Sequence, residues 1–208
     1  MVSSIAPGKY LPNRMLFFFH QALEETIGRT ATALLWQNSG PRNECLASVS
    51  DDLEKAVEFS CYAALCASIG KVYGESGART ILHRCGRAAL TETLRSTAAL
   101  AGLDGSHLFR QTDPQQIAER LHSVTRLLGL LSDMECRLEI LPQGCRLCVS
   151  ACPECLGRRS EAGICHSVGG MWRGALDWLG IDPDIPVAEE VCLASGGAGC
   201  VFSISGAF

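Results

Sequence analysis

Seven of the twelve cysteines fall between Cys145 and Cys200, and their spacing is the strongest chemical signal in the chain. They run Cys145-x2-Cys148-x3-Cys152-Pro153-x-Cys155, then Cys165, then Cys192 and Cys200. Dense sulfur in a chain kept under reducing conditions points to metal or redox chemistry before a disulfide framework. Cys145, Cys148 and Cys152-Pro153 match the last three ligands of the bacterial ferredoxin spacing, and Cys155 adds a fourth sulfur. These four are therefore candidates for an iron–sulfur cluster or a second metal. The rival reading is a β-strand with Cys145, Leu147, Val149 and Ala151 facing inward, since a regular strand points Cys145 and Cys148 to opposite faces. Further on, Cys192 and Cys200 flank Ser195-Gly-Gly-Ala-Gly199. A hairpin can set them opposite one another, with Cys165 docking as a third thiolate. The competing reading is three small cysteines packed in a core.

Other chemistry is sparse. His20 follows Phe17, Phe18 and Phe19 and is expected in the interior with a satisfied hydrogen bond. His83, His107 and His122 have no partner at ligand spacing. Neither a Ser–His–Asp set nor a pair of carboxylates can be assembled from spacing, so no catalytic residue is assigned.

The elements that must position the sulfurs follow from periodicity. Leu16, Phe19, Leu23 and Ile27 recur at three- and four-residue steps after Pro12-Asn13 and stop at Gly28, which predicts a helix. A second is expected over Thr30–Gln37, closed by Asn38-Ser-Gly-Pro41. Ser50-Asp-Asp-Leu-Glu54 reads as a helix N-cap with acids in the first turn, opening a helix to about Tyr73. Another spans Ala78 to Arg95, a break is expected near Asp104-Gly105, and Asp113-Pro114 starts a helix buried through Ile117, Leu121, Val124 and Leu128. Met134–Leu141 and Cys145–Ala151 then read as strands joined at Pro142-Gln-Gly144. Gly163–Gly180 is a helix, and Ile185–Leu193 with Cys200–Ile204 makes a second hairpin. Gly169-Gly170 inside that helix costs stability and predicts a close backbone approach, to the hairpin or to a guest. Helices followed by antiparallel hairpins predict an α+β fold: one domain over 1–208, helical through 133 and β–β–α–β–β from 134.

Composition sets limits. The chain has 208 residues, 47% hydrophobic and 19% charged, with a net charge of -4 and a slightly positive mean hydropathy. That suffices for a large core and argues against disorder and nucleic-acid binding. Met15-Leu-Phe-Phe-Phe19 is far too short to span a bilayer. With no signal-peptide pattern at Met1–Pro7, a cytoplasmic protein able to house an apolar guest is expected.

Cys152-Pro-Glu-Cys-Leu-Gly157, Gly163-Ile-Cys-His166, Gly174-Ala-Leu-Asp-Trp-Leu179, Glu189-Glu-Val-Cys192 and Gly199-Cys-Val-Phe202 resemble the 4-vinyl reductase domain family. That family includes the sensor domains of phenol- and xylene-responsive activators. The resemblance implies a fold related to TRAPP subunits, often homodimeric around an apolar pocket. It also implies structural zinc on Cys165, Glu189, Cys192 and Cys200, with Glu190 or His166 as alternatives to Glu189. A regular strand points residues 189 and 192 to opposite faces, so their joint use requires a bulge. The leading expectation is a carrier or sensor for a small hydrophobic or aromatic ligand. The alternatives are a tetrapyrrole-linked role in (bacterio)chlorophyll synthesis, as accessory factor or vinyl-group reductase, and an iron–sulfur redox protein.

Overall fold

The structure, a computed structural model, describes residues 8–38, 50–103 and 114–205. The turn expected over residues 39–41, the break at Asp104-Gly105, His107 and Asp113 lie outside the described residues. The chain order is β1 (Tyr10–Pro12), α1 (Asn13–Ile27), α2 (Arg29–Asn38), β2 (Lys55–Glu58) and α3 (Phe59–Thr97). A 3-10 turn at Ala98–Ala101 follows, then α4 (Pro114–Leu131), β3 (Cys136–Leu141) and β4 (Gly144–Val149). The chain ends with α5 (His166–Trp178), β5 (Val187–Val191) and β6 (Cys200–Ser205). Helices combined with antiparallel sheets make the α+β class expected from the sequence.

Local chemistry explains most of these boundaries. Leu16, Phe19 and Leu23 of the expected stripe are buried on α1 together with Met15 and Ala22, while Ile27 at its end is half-buried. The helix expected to open at Ser50–Glu54 is corrected. Asp52 accepts hydrogen bonds from the Glu54 backbone N–H at 2.9 Å and the Asn13 side chain at 3.0 Å. The acid thus closes a turn in place of a cap, and Lys55–Glu58 runs extended against β1. Helix α3 begins only at Phe59 and breaks at Gly74 (φ 69°, ψ 176°), between the two helices that the sequence predicts.

From Cys136 onward the strands form one four-stranded antiparallel sheet in the order β3-β4-β6-β5. Alternate residues are buried: Cys145, Leu147 and Val149 on β4, and Cys200, Phe202 and Ile204 on β6. That period of two marks a sheet with one face against the core.

Helix α5 is buried continuously from Ser167 to Leu176, as befits a helix enclosed on all sides. It meets α3 backbone to backbone. A Cβ added to Gly170 would lie 2.1 Å from the His83 carbonyl oxygen, and one on Gly86 would lie 2.0 Å from that of Ser167. On the sheet side Gly169 packs against the Phe202 ring. The close approach expected at Gly169-Gly170 is therefore to helix and sheet together. Thr91 donates to the Gly174 carbonyl at 3.2 Å, and the Tyr62 and Ser167 hydroxyls are hydrogen-bonded in the core. At the far end the buried Arg173 guanidinium binds Asp177 at 2.9 Å and the Ile185 carbonyl at 2.7 Å.

Gly170→Ala forces the two helices apart, so its expected cost is about 2 kcal/mol or more. Gly129→Ala, on an exposed face of α4 where a Cβ meets nothing within 4 Å, is expected to leave stability unchanged or raise it by up to about 1 kcal/mol. Thermal melts of both variants check the crossing.

Candidate metal centre

Five buried sulfurs converge where four chain segments meet. Cys152 and Cys155 lie in the loop after β4, Cys165 sits at the N-cap of α5, Cys192 follows β5, and Cys200 opens β6. The sulfur separations are 3.4 Å for Cys152–Cys165, 3.4 Å for Cys155–Cys200, 3.5 Å for Cys165–Cys200 and 3.7 Å for Cys165–Cys192. Two four-ligand groups result: Cys152, Cys155, Cys165 and Cys200; and Cys165, Glu189, Cys192 and Cys200. Within each, the ligand atoms all lie within 4.8 Å of one another.

The strands deliver these groups for local reasons. Val149 pairs with Cys200 across β4 and β6, which sets the 150–155 loop beside the start of β6. A register shift between Glu189 and Val191 supplies the irregularity that lets Glu189 and Cys192 reach one site. The Cys192 carbonyl then accepts from the Gly197 N–H at 3.0 Å and closes the turn back to Cys200. Leu193 donates its N–H to the Cys200 sulfur at 3.4 Å.

Two carboxylates hold the start of α5. Glu189 accepts the Cys165 N–H and Glu154 accepts the Val168 N–H, both at 3.0 Å. These donors lack intrahelical acceptors, and the helix dipole favours negative charge beside them. Each carboxylate keeps one buried oxygen without a partner. Burial pushes the Glu154 carboxyl up to about 8 and that of Glu189 up to about 7. The thiols ionise unequally. Donation from Cys152, Cys165 and Cys200 drives Cys155 far below its ordinary value. Donation from Cys165 lowers Cys192 to about 5. Cys165, in contact with the Cys152, Cys192 and Cys200 sulfurs, is held well above the usual thiol range by them.

The tetracysteine segment divides. Cys145 pairs across strands with Ile140 and Ile204, and Cys148 with Arg137 and Val201. Neither belongs to a ligand group among the described residues, because β4 keeps strand geometry. The iron–sulfur cluster expected on Cys145, Cys148, Cys152 and Cys155 is corrected accordingly. Cys165, Glu189, Cys192 and Cys200 do come together as one group, with Cys152 and Cys155 close by; zinc as the expected cofactor is corrected by the likeness to H-NOX structures described below. Of the alternatives to Glu189, Glu190 instead binds Arg146 at 3.0 Å.

His166 lines a cleft of about 490 Å³ with Cys66, Ala78, Leu82, Arg158 and Ile164. Burial, followed by the Arg79 charge, lowers its imidazole and favours the neutral form. His20 is half-buried, edge-on to Trp36 at 5.1 Å, with one ring nitrogen buried and unpartnered. Sequence reasoning missed the role of Glu154. Its only signal was an acid set between two clustered cysteines, and nothing in the spacing announces its burial.

No protein-family model matches the chain, and no curated protein matches it. Solved structures do. An H-NOX protein from S. oneidensis in the Fe(II)NO ligation state has a TM-score of 0.64 at 11% identity, covering 94% of this chain and 98% of that one. The Fe(II) unliganded H-NOX protein from K. algicida has a TM-score of 0.59 at 10% identity, covering 94% and 96%. The chain thus shares the H-NOX fold. The resemblance to the 4-vinyl reductase family and TRAPP subunits is corrected by these findings. So are the zinc-pinned hydrocarbon binder and the factor or reductase of (bacterio)chlorophyll synthesis. No helix among the described residues is long and apolar enough to cross a membrane.

In metal-free, reduced protein, the ultraviolet thiolate absorbance is expected to lose one step as pH falls through about 5, the value to which Cys192 is lowered. Cys192→Ser is expected to lack that step.

Proposed function

We propose that this chain is a sensor domain on the H-NOX fold whose responsive centre is a soft metal ion held by thiolates at the start of α5. The convergence of five buried sulfurs with Glu189 carries this reading. Thiolates favour soft cations, and binding them displaces thiol protons, so occupancy is linked to both pH and folding. The ligands come from the 150–155 loop, the N-terminus of α5, the end of β5 and the start of β6. A bound ion ties these segments together. Cys165 continues directly into α5, whose backbone contact with α3 offers a rigid path for a change at the centre.

A fold shared with proteins solved in Fe(II) and Fe(II)NO states supports a small-molecule response. A small ligand, one functional unit over residues 1–208, self-association and a reducing cytoplasmic setting belong to the same proposal. Exposed Ile140 and Leu141 on the edge strand β3 support pairing between copies. Titrating metal-free, reduced full-length protein with Cd2+ tests the centre. At saturation the melting temperature is expected to rise by roughly 10 °C, as ligand linkage of about 4 kcal/mol gives for a chain of this size. The rise should vanish when Cys165 and Cys200 are both changed to serine. A wild-type melt indifferent to Cd2+ overturns the reading.

A second reading rests on the His166 cleft. Its donors fit a heme: a neutral imidazole for iron, Arg158 for a propionate, and Ala78, Leu82 and Ile164 as an apolar wall. Bound there, heme would supply iron for a small ligand. Hemin added to the full chain is expected to shift its Soret band, and His166→Ala to abolish the shift. A free-hemin spectrum, or a shift that survives the substitution, removes this reading.

A further inference from the structure

We propose that the sulfur centre is binuclear, with two soft metal ions sharing the Cys165 and Cys200 sulfurs as bridges. The inference rests on the metal-binding reading above and adds nuclearity and ligand assignment to it. The two ligand groups overlap in two members, Cys165 and Cys200. Two tetrahedra with a common edge have this relation, and the common edge here is 3.5 Å long. Tetrahedral bonds of about 2.3 Å to sulfur put neighbouring sulfurs roughly 3.8 Å apart. Cys152–Cys165 at 3.4 Å, Cys155–Cys200 at 3.4 Å and Cys165–Cys192 at 3.7 Å lie near that edge length. Cys152 and Cys155 are then the terminal ligands of one ion, and Glu189 and Cys192 those of the other.

Charge leads to the same count. If all six groups ionise on binding, one dication leaves four negative charges in a buried site, and a second dication halves that excess. Uncompensated buried charge is expensive. A single ion on the all-sulfur group also leaves the Cys192 sulfur and the Glu189 carboxylate unligated beside it. Glu189 also keeps a buried oxygen without a hydrogen-bond partner. The Cys200 sulfur accepts the Leu193 N–H at 3.4 Å.

The test loads metal-free, reduced full-length protein anaerobically with 113Cd2+ and reads stoichiometry and 113Cd resonances. Two ions per chain are expected, with two distinct resonances: one ion has four sulfur ligands, and the other has three sulfurs and an oxygen. The two signals should split each other through the bridging sulfurs. Glu189→Gln is expected to move the second resonance strongly and the first only slightly. Cys192→Ser is expected to remove the second resonance and one bound ion. Should C192S fail to fold, E189Q alone makes the assignment. A single equivalent with one resonance overturns the binuclear centre but leaves the metal-binding reading intact. Two uncoupled resonances overturn the bridging. No binding overturns both proposals.

Discussion

The fixed position of the start of α5 is the constraint on which the rest depends. Its first-turn N–H groups are buried, and backbone donors in that position must find acceptors. Glu189 reaches Cys165 from the sheet edge and Glu154 reaches Val168 from the loop after β4. The two carboxylates thus join one helix end to both neighbouring segments. Glycine contacts along the helix set its distance from α3, and Arg173 fastens the loop after its other end. With α5 held in this way, Cys165 has one place to be, and the other sulfurs gather round it.

That arrangement concentrates negative charge where water is excluded. Glu154 and Glu189 are pushed toward neutrality by burial, and thiol protons are shared unequally among the sulfurs. A cation bound there, as proposed, would relieve all of these groups together. A loop, a helix end and two strand ends each bring one or two of them to the same point.

The fold and the centre carry different information. At 10–12% identity the likeness to H-NOX structures describes how the chain is folded, and one fold can host unrelated chemistries. The sulfur centre and the His166 cleft belong to this chain's own residues. They lie on either side of the His166 turn, Cys165 facing the sulfurs and His166 lining the cleft.

Periodicity was enough to read α1 and α4, each with one buried face, and turn residues at Pro142-Gln-Gly144 and Ser195–Gly199 were enough to read the two hairpins. Local competition hid β2: Asp52 could cap a helix or close a turn, and its contact with Asn13, 39 residues away in sequence, decided the matter. The density of cysteines after residue 144 was plain from the letters, as was the need for an irregular strand if Glu189 and Cys192 were to act together. Grouping them was a different problem. Spacing alone placed Cys152 and Cys155 with Cys145 and Cys148, since neighbours in sequence look like neighbours in a site. Only the pairing of β4 with β6 and the docking of α5 assigned Cys152 and Cys155 to Cys165 and Cys200. Which residues carry soft ligands is a property of the chain; which of them share a point in space depends on strand register and helix packing, and those are settled by the whole fold.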